Sequence, residues 1–232
     1  MGIQFRMLNL SKGPAVHGPR SQADRKLYKI AIKNLINEEA NLSIKEGMVT
    51  DLIIRKNKFI GIKLEDGCVI NGNTLVITTG TFLGGKIFIG NESFESGRIG
   101  EKSSSKLALR IRSFNFPVGR LKTGTPPRLE KKSINWDILD KQDADTNPIP
   151  FSYLTNRIEV PQIQCAITKT SEKTHSIILN NINSSAVYAG SISGPGPRYC
   201  PSIEDKVIRF KDKTSHQIFL EPEGLDSHVV YP

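Results

Sequence analysis

The stretch from Val49 to Thr79 constrains the fold more than any other part of the chain. Two runs rich in β-branched residues, VTDLIIR and KFIGIKL, flank Lys56-Asn57. Val69-Ile70 follows the turn Glu65-Asp66-Gly67, so the three segments read as an antiparallel meander. After the turn Asn71-Gly72-Asn73, residues 74–78 contain Leu75-Val76-Ile77. A continuous apolar run of this size is the mark of a strand buried on both faces. It leads into Thr79-Gly80-Thr81. A meander, then a buried strand ending at a glycine turn, predicts an α/β nucleotide-binding domain.

The flanking sequence is read in the same way. The first twenty residues read as a loop, because Ser11-Lys12-Gly13-Pro14 and Gly18-Pro19-Arg20 are turn signals. Residues 21–38 read as a helix capped by Ser21, with Ala23, Leu27, Ile30, Ala31 and Leu35 at helical spacing. Further helices are expected at 102–113 and 171–183, and a third starting at Pro201. Residues 133–153, with Trp136, read as a loop-rich excursion. The chain has 232 residues, 38% of them hydrophobic, which suits a packed protein and excludes a disordered one. No apolar run approaches the roughly 20 residues of a membrane span. No secretory leader is visible, so a cytoplasmic location without membrane attachment is expected.

The net charge of +9 is unevenly spread. Residues 1–120 hold 19 basic and 10 acidic side chains, while residues 121–232 hold 13 of each. Residues 98–132 alone hold 10 basic side chains against Glu101 and Glu130. Such a block attracts phosphate, though a charge run is most often a solvated face.

Motifs for specific chemistry are few. Gly80 to Lys86 fits the first seven positions of a phosphate-cradling loop, but Ile87 stands where magnesium needs Ser or Thr. No Gly-x-Gly-x-x-Gly fingerprint follows any strand, and the Gly190–Pro197 stretch has prolines that donate no backbone N–H. Cys68, Cys165 and Cys200 lie far apart, without the spacing of a zinc site or a disulfide framework, and no metal site is expected. Cys68 and Cys165 read as packing residues. Pro201 favours the first helical position and so places Cys200 at an N-cap, close to Arg198. A cysteine there holds more thiolate than usual, the alternative being a buried inert thiol. His17, His175, His216 and His228 show no ligand spacing and read as structural or surface groups. Glu221 and Glu223 read as surface carboxylates.

Seven stretches together resemble one known family. They are FRMLNLSKGPAV (5–16), QADRKLY (22–28), GTFLGGKIFIG (80–90), GRLKTGTPPR (119–128), EKTH (172–175), GPRYCPSIEDKV (196–207) and HQIFLEPEGL (216–225). The chain resembles the FAD-binding large subunit of the tRNA uridine 5-carboxymethylaminomethyl modification enzyme, the glucose-inhibited division protein A family. Lys169 departs from that pattern, where the family usually has His, and His17-Gly18 also varies. The family's chain is longer, so this one resembles an internal fragment. The resemblance implies an incomplete FAD-binding domain of the glutathione-reductase type with an inserted α+β region. It implies a partial FAD-binding domain over residues 1–118 and a second dinucleotide-associated region over 119–232.

The resemblance also implies functional residues. Val49 and Ser104 match positions that contact FAD, and Thr79, Gly80 and Thr81 resemble the turn beside the flavin. Gly196, Pro197, Arg198 and Tyr199 fall in a stretch assigned to the second dinucleotide, NADH. Cys200 matches a functional cysteine whose thiolate would add to carbon 6 of uracil and make carbon 5 nucleophilic. Methylene-tetrahydrofolate is the implied one-carbon donor, a GTPase the implied partner and a homodimer the implied assembly. Arg120, Lys122 and Arg128, in the basic block, are candidates for tRNA phosphates. The implied product is an aminomethyl or carboxymethylaminomethyl group on carbon 5 of the wobble uridine. The isolated chain is expected to be inactive. The alternatives are a residual RNA-binding module without catalysis and a relative of the folate-dependent tRNA uridine methyltransferases.

Overall fold

The structure is a computed structural model that describes residues 1–80, 82–122, 124–190, 192, 194 and 201–232. In chain order the strands and helices begin with β1 (Gly2–Leu8), β2 (Gly18–Ala23) and α1 (Arg25–Asn37). Then follow β3 (Val49–Arg55), β4 (Lys58–Leu64), β5 (Val69–Asn71), β6 (Lys86–Ile89), β7 (Glu92–Glu95) and α2 (Ser105–Arg112). The last part holds β8 (Leu129–Glu130), β9 (Asp140–Gln142), β10 (Cys165–Lys169), α3 (Glu172–Asn180), α4 (Ile203–Arg209), β11 (Gln217–Pro222) and β12 (Val229–Tyr231). The fold is therefore mixed α and β. No helix among the described residues is long and apolar enough to cross a membrane.

The chain forms two compact units, both discontinuous in sequence. The first comprises Met1–Leu42, Gly124–Leu179 and Ser202–Pro232; the second comprises Ser43–Thr123 and Asn180–Pro201. The first thus draws on both of the continuous blocks, 1–118 and 119–232, that the resemblance implies.

In the first unit, five short strands pair in the order β8-β12-β11-β10-β9, all antiparallel. Ala166, Leu220 and Val230 form its apolar centre, with Trp136, Ile134, Leu139, Leu129 and Ile218 packed against it. Trp136 thus belongs to the core, and its indole N–H donates to the Lys131 carbonyl at 2.9 Å.

The first twenty residues are not a loop. β1 and β2 form an antiparallel pair, and the turn signals lie between them, in two 3-10 turns. Distant partners fix β1. Its Ile3 carbonyl accepts from the Ile163 amide at 2.7 Å, and the Met7 amide donates to Asp145 Oδ2 at 2.7 Å. Gln4 Nε2 donates to the Gln142 carbonyl at 2.8 Å.

α1 starts four residues later than the sequence suggests, because Asp24 and not Ser21 is the N-cap. Asp24 Oδ1 accepts from the Leu27 amide and Oδ2 from the Leu225 amide, both at 2.8 Å. Burial disfavours the Asp24 carboxylate, but the amides of Leu27, Leu225 and Lys26 outweigh it and hold the group below its usual 3.8. None of the α1 residues is fully buried.

In the second unit, β3, β4 and β5 form the meander at the residues the sequence indicates. Gly61 lets β5 approach β4 closely: a Cβ there would sit 2.6 Å from the Ile70 carbonyl oxygen. β6 and β7 form a separate hairpin. α2 buries Leu107 and Ala108. Residues 74–78 are not a buried strand. They are exposed and unpaired, and Val76 is 84% accessible. A run apolar on both faces needs strands beside it and layers above and below. The described residues of this unit supply neither.

Two groups give the first unit a pH dependence on the acid side of neutrality. Burial lowers the His216 pKa from 6.5, and the nearby His175, Lys206 and Lys213 lower it further, against a backbone contact with Lys206 that raises it. A depressed imidazole stabilises the folded form above pH 6.5 and loses that contribution as the pH falls toward its folded value. The depressed Asp24 contributes above 3.8 and is lost at still lower pH. Urea midpoints of the first unit should therefore begin to fall below pH 6.5, and His216→Phe should flatten that decline. Asp24→Ala should cost about 2 kcal/mol at pH 7, read by the same urea titration.

Candidate functional site

The clearest site lies in the second unit. α2 is clamped to β3 by Arg110, whose Nε bonds Asp51 Oδ1 at 2.8 Å. The same guanidinium donates to the Leu52 carbonyl at 3.0 and 3.2 Å, and stacks 4.7 Å from the Phe114 ring centroid. This holds the start of α2 over the beginning of β3. A cavity of about 300 Å³ lies between them, lined in part by Val49, Glu65, Glu95, Lys102, Ser104 and Lys106. Val49 and Ser104, the two positions that the resemblance assigns to FAD contact, share this cavity.

The electrostatics limit what the cavity suits. Lys102 Nζ lies 3.5 Å from Glu65 Oε2 and Lys106 Nζ lies 4.0 Å from Glu65 Oε1. Ser105 Oγ donates to Glu95 Oε2 at 2.6 Å. Its two lysines face two glutamates, so the lining carries no strong anion field. Hydroxyls and an apolar wall at Val49 suit a flat polar ring or a sugar. At about 300 Å³ the cavity is smaller than a whole dinucleotide.

Other expected site residues fall elsewhere. Thr79 and Gly80 are exposed and do not line the cavity. Gly80 has φ +62 with open space around it, a conformation that favours glycine. Thr81, Gly196, Pro197, Arg198, Tyr199 and Cys200 lie outside the described residues. The helix expected to begin at Cys200-Pro201 has its N-cap at Ser202. Ser202 Oγ accepts from the Asp205 amide at 3.2 Å, and Asp205 Oδ2 accepts from the Ser202 amide at 3.3 Å. The signature Ser-x-x-Asp, a capping box, outcompetes proline at the first position.

Of the other two thiols, Cys165 fits the sequence reading as a packing residue, while Cys68 lies outside the strand. Cys165 is buried, and its Sγ donates to Gln4 Oε1 at 3.2 Å. Burial pushes its pKa up, with Arg20 pulling against it. Cys68 is a free, half-buried cysteine at the end of the turn before β5.

The three basic candidates differ. Arg120 donates to the Gly84 carbonyl at 2.8 Å and is exposed, in the second unit. Lys122, in the same unit, is half-buried. Arg128 belongs to the first unit, where its Nε bonds Glu223 Oε1 at 2.6 Å and its guanidinium lies 4.3 Å from the Tyr231 ring centroid. Glu223 also pairs with Arg25 at 3.5 Å, and Glu221 pairs with Arg20. The two glutamates read as surface groups are thus ion-paired, and Glu221 is buried.

One cluster has no signal in the sequence. His175 and His216 are both buried, with ring centroids 5.1 Å apart. Thr170 Oγ1 and His175 Nε2 are 2.8 Å apart, and the same hydroxyl accepts from the His216 amide at 2.7 Å. Their separation in sequence leaves no periodic signal. Among the described residues, no cluster of three or more His, Cys, Asp or Glu side chains is placed to hold a metal ion.

Comparison with known proteins places the chain. The model of the family described as glucose inhibited division protein A matches residues 1–232. A protein of Granulibacter bethesdensis, named tRNA uridine 5-carboxymethylaminomethyl modification enzyme MnmG, is 53% identical over 99% of this chain and 37% of its own. A protein of Thermodesulfovibrio yellowstonii with the same name is also 53% identical, with the same coverage. Among solved structures, Aquifex aeolicus GidA in crystal form I superposes with a TM-score of 0.89 at 46% identity, over 100% of this chain and 40% of its own. Crystal form II gives 0.86 at 43% identity. The chain spans well under half the length of these relatives. It belongs to the glucose-inhibited division protein A family.

Proposed function

We propose that this chain is part of an FAD-dependent enzyme that builds the carboxymethylaminomethyl or aminomethyl group on carbon 5 of the wobble uridine of tRNA. The observation that carries this reading is the 53% identity, over nearly the whole chain, to two relatives named for that modification. The same names weigh against the folate-dependent methyltransferase alternative.

The cavity beside Val49 and Ser104 supports a cofactor contact. Its balanced charge and its size suit the ring-and-sugar end of FAD, while the pyrophosphate grip lies outside the motifs of this chain. When bound, FAD supplies two-electron redox chemistry, with NADH as reductant and methylene-tetrahydrofolate as the one-carbon source. Gly196, Pro197, Arg198 and Tyr199 are the proposed dinucleotide contacts, and Thr79, Gly80 and Thr81 the proposed flavin-side turn. Cys200 is the proposed nucleophile: its thiolate adds to carbon 6 of uracil, and carbon 5 gains the electron density to attack an electrophilic carbon. A GTPase partner and a homodimer complete the proposed assembly.

The basic block supports tRNA as substrate, with Arg120, Lys122 and Arg128 as contacts. Arg128 is the weakest of the three, because Glu223 already neutralises it. The same block supports a second reading, RNA binding without chemistry.

Two measurements test these readings. FAD titrated into the chain, followed by quenching of flavin fluorescence, should show weak saturable binding, and Ser104→Trp should weaken it about tenfold by filling the cavity. Absence of any binding to FAD, with tRNA binding retained, favours the RNA-module reading. The affinity for tRNA should fall steeply with salt; Lys122→Ala should reduce the slope of log K against log salt by about 1, and Arg128→Ala by less.

A further inference from the structure

The charges of α1 work against the helix that carries them. They are Arg25, Lys26, Lys29 and Lys33, all positive. Arg25 and Lys26 stand at the positive end of the helix dipole, while Glu38 and Glu39 stand at its negative end. Lys26 and Lys29 are three residues apart, and Arg25 and Lys33 each lie four from Lys29, so like charges face each other along the surface. The Asp24 carboxylate at the N-cap offsets part of this. At 3.6 residues per turn the four charges fall within an arc of about 100°. Leu27, Tyr28, Ala31, Ile32 and Leu35 occupy the opposite side. Lys26, Lys29 and Lys33 are exposed, and among the described residues none of them joins an ion pair. Arg20, Arg25 and Arg128 of the same unit each have a glutamate partner.

A charge pattern that costs helix stability and pairs with nothing in the fold fits an external anion. From Lys26 to Lys33 the helix rises about 10 Å, a length over which one strand of a duplex presents about three phosphates. Ammonium groups meet phosphate as point charges and read no base edges. A membrane is the other polyanion that a basic helix meets, but that mode immerses the apolar side in lipid. Here Leu27, Ala31 and Ile32 of that side are already half-buried.

We propose that Lys26, Lys29 and Lys33 form a phosphate track that receives the backbone of the RNA substrate without regard to its base sequence. The track rests on the reading of tRNA as substrate. It adds a contact surface on the first unit to the candidates Arg120, Lys122 and Arg128.

The test uses the 232-residue chain and the fluorescence anisotropy of labelled tRNA, and of an unrelated RNA hairpin, across a salt series. The triple variant Lys26→Gln, Lys29→Gln, Lys33→Gln should bind both RNAs at least about tenfold more weakly at low salt and reduce the slope of log K against log salt by about 3. Its thermal midpoint should stay level or rise, because the like-charge pairs are gone. Lys29→Gln alone should reduce the slope by about 1. Arginine at the same three positions keeps the charge and should keep the slope. A control that removes equal charge from other exposed sites, Lys58→Gln, Lys63→Gln and Lys173→Gln, should change the slope by less than about 1. An unchanged slope in the α1 variants, with the parent chain binding RNA, overturns this proposal alone. Equal loss in the control also overturns it, since net charge would then suffice. Failure of the parent chain to bind either RNA overturns the substrate reading and the track together. Binding to phosphatidylserine vesicles that the triple variant loses while its RNA binding is kept assigns the face to a membrane and overturns the track.

Discussion

One carboxylate ties the first unit together. Asp24 receives the amide that opens α1 and the amide of Leu225, which lies two hundred residues away between β11 and β12. Its own amide donates to the Met1 carbonyl, and that of Arg25 donates to Glu223. The start of the chain, the helix and the last hairpin therefore meet at a single residue. Gly224 is part of the same arrangement, because a Cβ there would lie 2.7 Å from Asp24 Oδ2. The ion pairs Arg20–Glu221, Arg25–Glu223 and Arg128–Glu223 surround this point. Removing the carboxylate would leave backbone donors from two distant segments without a partner, a cost that exceeds the loss of an ordinary helix cap.

Local structure was legible where local chemistry decides it. The meander at β3, β4 and β5 appears at the expected residues because two turns and alternating side chains specify it without outside help. α2 and α3 lie within the expected ranges 102–113 and 171–183. β1 was not legible, because its partners are Gln142, Asp145, Gln162 and Ile163, and no local pattern announces them. The run at Leu75-Val76-Ile77 has the composition of a buried strand without the neighbours a buried strand needs. Its sequence states a requirement that residues within this unit do not meet.

The candidate site was legible only in part, and by two routes. Resemblance named Val49 and Ser104, which lie far apart in sequence and share one cavity. Charge counting found Arg120, Lys122 and Arg128 but could not distinguish them, since a count does not show that Glu223 and Tyr231 hold Arg128. The N-cap at Ser202 was readable from Ser-x-x-Asp, a stronger signal than the proline that drew attention to Cys200. The His175–His216 pair arises from tertiary packing of β10, α3 and the segment before β11, and no spacing rule would find it.

Trp136 is the chain's single tryptophan, and it packs on the apolar centre of the first unit with its N–H satisfied. The second unit contains none. Intrinsic tryptophan emission is therefore a reporter for half of the protein: a denaturation curve followed that way describes the five-stranded sheet, and the meander and its cavity unfold unseen unless a second probe is placed among them.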